Sequence, residues 1–155
     1  MRSGLRWGLK SSFVAYLLGL EDGTVTASDG AVFGTDRILV FPLADDSGFD
    51  AGTGRGVLAF AGTVAFLGHA GLLDVRLADL RLECAGSSVL TVAVGGSRLT
   101  LATLDLGASA GDRDALHWTD APARLTREGS SLLNDVYRPG ETLDPVSVWI
   151  DLSRR

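Results

Sequence analysis

The stretch Leu72-Leu73-Asp74-Val75-Arg76-Leu77-Ala78-Asp79-Leu80-Arg81-Leu82-Glu83 decides the fold class. Leu73, Val75 and Leu77 interleave with Asp74 and Arg76, and Leu80 and Leu82 flank Arg81, with the alternation slipping once near Ala78-Asp79. Successive side chains on a strand point to opposite faces, so a period of two marks a strand with one face buried and one in water.

Working outward, the runs Thr24 to Ala27, Ile38 to Leu43, Gly56 to Leu67, Val89 to Val94, Leu99 to Leu106 and Pro145 to Leu152 are apolar or alternating and read as strands. The chain holds 20 glycines, clustered in places such as Asp50 to Gly56 and Gly95-Gly96, where they supply the tight reversals of an antiparallel meander. Two segments break the pattern. Leu9, Phe13, Leu17 and Leu20 recur at helical spacing between Arg6 and Leu20, with Gly19 or Gly23 as the stop. Thr126 to Asp135 predicts a second short helix, entered through Thr126 or Ser130 as cap. The segment Gly107 to Asp114 is small and polar and reads as a loop. The expected fold is mainly β: an antiparallel β-sandwich-like domain with two short α-helices. A length of 155 residues fits one domain covering 1–155.

Composition excludes several classes. With 46% hydrophobic and 21% charged residues, the chain can build a core and is not disordered. Nineteen acids against 14 Lys and Arg give a charge of -5, and no basic tract resembles a phosphate-binding stripe, so nucleic acid is not an expected partner. The lone Cys84 closes no intrachain disulfide and supplies no Cys-rich metal site, and either redox compartment is allowed. Arg2, Arg6 and Lys10 before the apolar run Phe13 to Leu20 imitate a signal peptide, but Trp7, Gly8 and two serines interrupt it, and Glu21-Asp22 stand where small residues would precede cleavage. No run approaches the roughly 18–20 apolar residues of a membrane span, so a soluble protein without one is expected.

The candidate chemistry is sparse. No G-x-S-x-G elbow is present, the two histidines lack the spacing of a zinc site, and Gly52-Thr53-Gly54-Arg55-Gly56 lacks the Lys-Ser/Thr ending of a phosphate loop and reads as a hairpin turn. His69 sits between glycines at a strand junction, where it is either a polar turn residue or a group aimed into a pocket. His117 reads as a surface strand or turn residue. Ser12 and Tyr16 lie one turn apart and emerge along one helix edge, so they can address one ligand together. For Tyr16 the alternative is an amphipathic core residue with its hydroxyl at the rim.

Three motifs carry a family resemblance: Leu5-Arg6-Trp7-Gly8-Leu9-Lys10-Ser11-Ser12-Phe13-Val14-Ala15-Tyr16, then Phe66-Leu67-Gly68-His69-Ala70-Gly71-Leu72-Leu73-Asp74, then Tyr137-Arg138-Pro139-Gly140-Glu141-Thr142-Leu143-Asp144-Pro145-Val146. In this order they resemble the HtaA-type haem-binding domain of actinobacterial haem-uptake proteins. The resemblance implies one ferric haem b, with Tyr16 as the axial iron ligand and His69 hydrogen-bonded to it. Ser12 and Tyr137 are then associated with the propionates. Val136 stands where many members carry an aromatic, which implies weaker stacking on that side.

The residue types suit this role. A phenol ordinarily keeps its proton until about pH 10, but ferric iron displaces it, and the phenolate is a hard donor for Fe(III). A histidine hydrogen-bonded to that oxygen orients it and tunes its basicity. Apolar contacts with the macrocycle are expected from Leu9, Phe13, Phe60 and Phe66. Nothing in the motifs places a second histidine or an arginine to cleave a peroxide, so haem acquisition, transfer or storage is expected and catalysis is not. Other haem-transfer proteins or haemoproteins are the implied donors and acceptors. Relatives are exported or displayed on the cell envelope, and this sequence leaves its own location open. The rival reading is a haem-free β-sandwich interaction module that binds a protein or glycan surface.

Overall fold

A computed structural model of the chain describes residues 3–108, 110–111 and 114–152. In chain order the elements are β1 (Gly4–Trp7), α1 (Ser11–Leu18), β2 (Thr24–Ser28), β3 (Val32–Phe33), β4 (Leu39–Asp45), β5 (Phe49–Asp50), β6 (Arg55–Phe60) and β7 (Thr63–Gly68). A 3-10 turn at His69–Gly71 follows, then β8 (Leu73–Ala78), β9 (Arg81–Cys84), β10 (Ser88–Val94), β11 (Ser97–Leu104), β12 (Ala110–Gly111), β13 (Ala115–Leu125), α2 (Arg127–Leu132) and β14 (Thr142–Asp151). The mainly β expectation and its two α-helices hold.

The alternating stretch behaves as its period requires, with Leu73, Val75 and Leu77 buried and Asp74 and Arg76 exposed. The slip near Ala78-Asp79 is where one long strand becomes two. Asp79 takes a left-handed φ of 50°, and β8 and β9 continue in different sheets. The facing run divides at the same level, at Ala61-Gly62, into β6 and β7. Gly62 has φ 112° and lies so close to Ala31 that an added β-carbon would stand 2.5 Å from the Ala31 β-carbon. The two bends are tied by Phe60 N–H donating to the Leu80 carbonyl at 2.9 Å. The result is one long bent hairpin, β6-β7 returning as β8-β9, with His69 at its tip.

The lower half of this hairpin enters a closed sheet. Its order runs β4-β1-β14-β13-β11-β10-β9-β6, and β6 pairs back to β4 through Leu43 opposite Phe60 and Asp45 opposite Ala59. This corrects the sandwich expectation: β4 pairs β1 on one side and β6 on the other, so the sheet closes into an eight-stranded, barrel-like ring, and a register shift between Leu43 and Asp45 bends β4 where it meets β6. Closure removes the exposed edges that two open sheets would leave. Side chains such as Leu5, Trp7, Phe41, Leu58, Leu82 and Leu90 are fully buried in one continuous core. The upper half of the hairpin pairs with β2 in a separate three-stranded sheet, β2-β7-β8.

The helix α1 lies on this small sheet, where the Phe13 ring meets Phe66 edge-on at 5.7 Å. It is shorter than the spacing predicts. Residues 4–7 form a strand instead, with Leu5 and Trp7 buried and Arg6 exposed at period two. The chain then turns at Leu9, which has φ 59°. Gly8 lies against Asp144, where a β-carbon would come within 2.3 Å of Oδ2. Asp144 also caps the helix from afar: its carboxylate accepts from Ser11 N–H at 3.0 Å, while its carbonyl accepts from the Trp7 indole at 2.7 Å. Gly19 ends the helix in a right-handed conformation (φ -80°). The second helix has Thr126 as its cap, accepting from Gly129 N–H at 2.9 Å.

The strand β13 has no counterpart among the sequence-predicted strands. Its alternation slips at Thr119 and the left-handed Asp120 (φ 52°), Pro122 removes a ladder donor, and its pairing with β14 shifts register around both. His117 lies on it, half-buried and stacked on Trp149 at 5.1 Å, as a strand residue. Of the expected loop 107–114, Ala110–Gly111 forms a short strand on β13, and residues 109, 112 and 113 lie outside the described set. Residues 51–54 connect β5 to β6, so the stretch Gly52 to Gly56 forms a hairpin turn and the start of its second strand.

Candidate functional site

The helix α1 buries Phe13, Val14 and Leu17 and leaves Ser12 and Tyr16 along its solvent edge. Tyr16 is 50% exposed, which sets aside the reading of it as a core residue. Its phenol oxygen stands 2.6 Å from His69 Nε2, within hydrogen-bonding distance. The residues are 53 positions apart, so the pair exists only because the hairpin tip comes down beside the helix.

The tip has an unusual backbone. His69, Ala70 and Gly71 are consecutively left-handed, with φ of 51°, 55° and 91°. Residues with a β-carbon resist this conformation by roughly 1–2 kcal/mol each. The opposing contribution comes from Asp22, just beyond α1, whose carboxylate accepts from His69 N–H at 3.2 Å and Ala70 N–H at 2.7 Å. The Ala70 N–H, with His69 adding less, holds the Asp22 carboxyl below the usual carboxylate range.

A third segment completes the arrangement. The Asn134 side-chain amide donates to the Leu72 carbonyl at 3.2 Å, linking the hairpin tip to the chain beyond α2. Tyr137 follows, with its hydroxyl 3.4 Å from Ser12 Oγ and its ring 6.3 Å from that of Phe13. Lys10 donates to the Thr142 carbonyl and places its ammonium 5.2 Å from the centre of the Tyr137 ring. Ser12, Phe13, Tyr16, His69 and Tyr137 thus surround one face of α1, although they come from three distant parts of the chain. Two large apolar residues next to these segments in the chain are in solvent: Leu72 beyond the hairpin tip, 85% exposed, and Val136 before Tyr137, 63% exposed.

Four residues expected to touch a macrocycle are placed differently. Leu9 and Phe66 are fully buried, and Phe13 and Phe60 are 2% exposed, so they offer almost no open surface. Phe13 and Phe66 support the face from beneath. Phe60 lies at the bend of the hairpin, with all of β7 between it and His69. Asp22, Leu72, Asn134 and Lys10 were not singled out from the sequence. For Leu72 a signal existed: in the pair Leu72-Leu73 a strand period of two buries only one, and an apolar residue is left on the wet side.

The sequence profile of the Htaa (HtaA) family matches residues 2–149. The chain belongs to the HtaA family. Among solved structures, the HtaA C-terminal domain from Corynebacterium glutamicum is 26% identical, with 95% of this chain and 94% of that one covered at a TM-score of 0.77. The N-terminal HtaA domain of the same organism has the same fold at 24% identity, with 99% of each chain covered and a TM-score of 0.79. The fold is shared too by HtaB from Corynebacterium glutamicum, described as a haem-binding protein, at 18% identity, with 96% of this chain and 91% of that one covered and a TM-score of 0.70. Curated proteins yield no match. In the HtaA-type domain described here, no helix among the described residues is long and apolar enough to cross a membrane.

Proposed function

We propose that this HtaA-family chain binds ferric haem b, with the Tyr16 phenolate as iron ligand, and serves haem acquisition, transfer or storage without catalysis. The observation that carries this reading is the 2.6 Å contact between a half-exposed phenol and an imidazole nitrogen. Among the described residues no cluster of three or more His, Cys, Asp or Glu side chains could hold a bare metal ion. A lone oxygen donor beside exposed Leu72 and Val136 suits a metal that arrives with its four in-plane ligands and an apolar macrocycle around them.

The proton balance is favourable as well. With His69 in the tautomer that leaves Nε2 without a proton, the Tyr16 O–H donates to it across the 2.6 Å contact. Were the oxygen to bind ferric iron, His69 Nε2 would stand in place to take its proton, and the resulting Nε2–H would donate to the phenolate. Ser12 and Tyr137 offer hydroxyl groups to the haem carboxylates at the far edge of the face. Val136, an aliphatic residue in place of an aromatic ring, gives contact without stacking. The haem-binding description of HtaB supports the same ligand class. Donor and acceptor are proteins able to present a similar open haem site.

Hemin titration followed by visible spectra of wild type, Tyr16→Ala and His69→Ala tests the reading. Tight, phenolate-type binding that is lost in Tyr16→Ala, leaving only weak histidine-type binding, and that shifts its bands in His69→Ala is expected. Dithionite should then provoke a ligand change or haem loss, since a phenolate holds Fe(II) weakly. An unchanged spectrum in Tyr16→Ala overturns the ligand assignment, and a wild type that binds no hemin favours a haem-free interaction module.

A further inference from the structure

We infer that Asp22 is the positioning residue of the site, holding the His69 backbone so that the imidazole meets the Tyr16 oxygen. The inference rests on the haem-binding reading only for its spectroscopic arm.

Three observations carry it. First, the left-handed run at His69, Ala70 and Gly71 is a conformation that two of its three residues resist, so something outside the turn must hold it. The Asp22 carboxylate, accepting from two successive N–H groups, is the contact that does so. Turning either peptide away would break one of these bonds and redirect the imidazole, because the ring hangs from the same α-carbon. Second, Asp22 and Tyr16 belong to one short stretch of chain, the helix and the turn after it. That stretch therefore grips His69 at two points, ring by phenol and backbone by carboxylate, and the distance between the grips is set locally. Third, the contact is close. A β-carbon on Gly68 would come within 2.9 Å of Leu20 Cδ1 and 3.0 Å of Leu17 Cδ1, so the hairpin tip is pressed onto the end of α1. Glycine at 68 permits the approach, and Asp22 fixes its rotation.

A carboxylate suits this task better than an amide. It accepts both bonds through separate oxygens, Oδ1 from His69 and Oδ2 from Ala70, whereas asparagine presents one acceptor and a donor that opposes the second N–H. The Asp22 carboxylate is spent on the His69 and Ala70 N–H groups, so its influence on the site passes through His69.

The experiment has a haem-free arm and a haem-bound arm. In the haem-free protein, NMR of Asp22→Ala and Asp22→Asn should show the Ala70 amide proton moving upfield and the His69 ring losing its Tyr16-dependent shift, with melting temperature little changed because Asp22 is exposed. In the haem-bound protein, Asp22→Ala should reproduce the His69→Ala spectrum and raise the haem dissociation rate about tenfold, as loss of a ligand's hydrogen-bonding partner does. The double variant Asp22→Ala/His69→Ala should be no worse than His69→Ala alone, since one acts through the other. An additive further loss in the double variant, or an unmoved His69 ring in the haem-free single variants, overturns the proposal. If Tyr16→Ala leaves the haem spectrum intact, the functional reading fails by itself, and the haem-free arm still decides the role of Asp22.

Discussion

Replacing Tyr16 with phenylalanine separates ligand from scaffold, because the substitution removes a single oxygen. That oxygen sits at the rim of a residue that is 50% exposed, and its hydrogen-bonding contact is with His69 Nε2 at 2.6 Å. An exposed hydrogen bond of this kind contributes about 0.5–1.5 kcal/mol net. In a chain of this size that lowers the melting temperature by roughly 2–4 °C per kcal/mol. Haem binding should respond on a different scale: loss of the ligating oxygen is expected to weaken it by at least about 100-fold, or ~2.7 kcal/mol. A further consequence follows from geometry. With the phenol gone, His69 Nε2 is the nearest donor to the vacated position, and a neutral imidazole is itself an iron ligand. Tyr16→Phe should therefore lose the phenolate-to-iron charge-transfer absorption and show residual, histidine-type binding that vanishes in Tyr16→Phe/His69→Ala. Hemin titrations and thermal melts on the same samples measure both quantities. A wild-type spectrum and affinity in Tyr16→Phe, or a fall in melting temperature beyond about 10 °C, would refute the reasoning.

Four other outcomes are expected. Gly62→Ala forces a β-carbon at φ 112° against Ala31, which should cost about 3 kcal/mol and lower the melting temperature by roughly 6–12 °C in a circular dichroism melt. Thr126→Ala removes the cap of α2 and should destabilise by about 1 kcal/mol, whereas Thr126→Ser, which keeps the oxygen, should stay close to wild type in a urea titration. Burial pushes the Cys84 thiol up to about 11, so a thiol reagent at pH 8 should leave it unmodified in the folded protein and react on unfolding. The Asp22 carboxyl lies below its ordinary 3.8, so its hold on the turn is fully present above that pH and is lost as pH falls through the lower folded value. An NMR pH titration of the Ala70 amide should show that acid transition, and its absence in Asp22→Asn is the control.

The local elements were legible where a physical period or a special residue writes them into neighbouring positions. Leu73, Val75 and Leu77 announce β8, the slip near Ala78-Asp79 marks the bend, Thr126 marks the start of α2, and the four-residue step from Ser12 to Tyr16 places both on one helix edge. The strand β13 was illegible because its period slips at Thr119-Asp120 and because Pro122, which donates no ladder hydrogen bond, argues against a strand; its pairing with β14 shifts register at both places. The start of α1 was misread for the opposite reason. Leu9 fits the helical stripe in sequence, yet Gly4–Trp7 is recruited as a strand by β4 and β14 on either side.

The sequence by itself thus determined the β class, the helices, and the candidate set Ser12, Phe13, Tyr16, His69 and Tyr137, the last through its resemblance to the HtaA domain. Only the tertiary structure decided that the sheet closes on itself through β4 and β6, and that the phenol meets His69. It also decided that Asp22 and Asn134 hold the hairpin tip, and that Leu72 and Val136, not Phe60 or Phe66, face solvent there. The division has a physical cause. Periodicity and capping act over a few residues and leave a mark at that range, whereas closure and the approach of groups 53 residues apart depend on how whole elements pack.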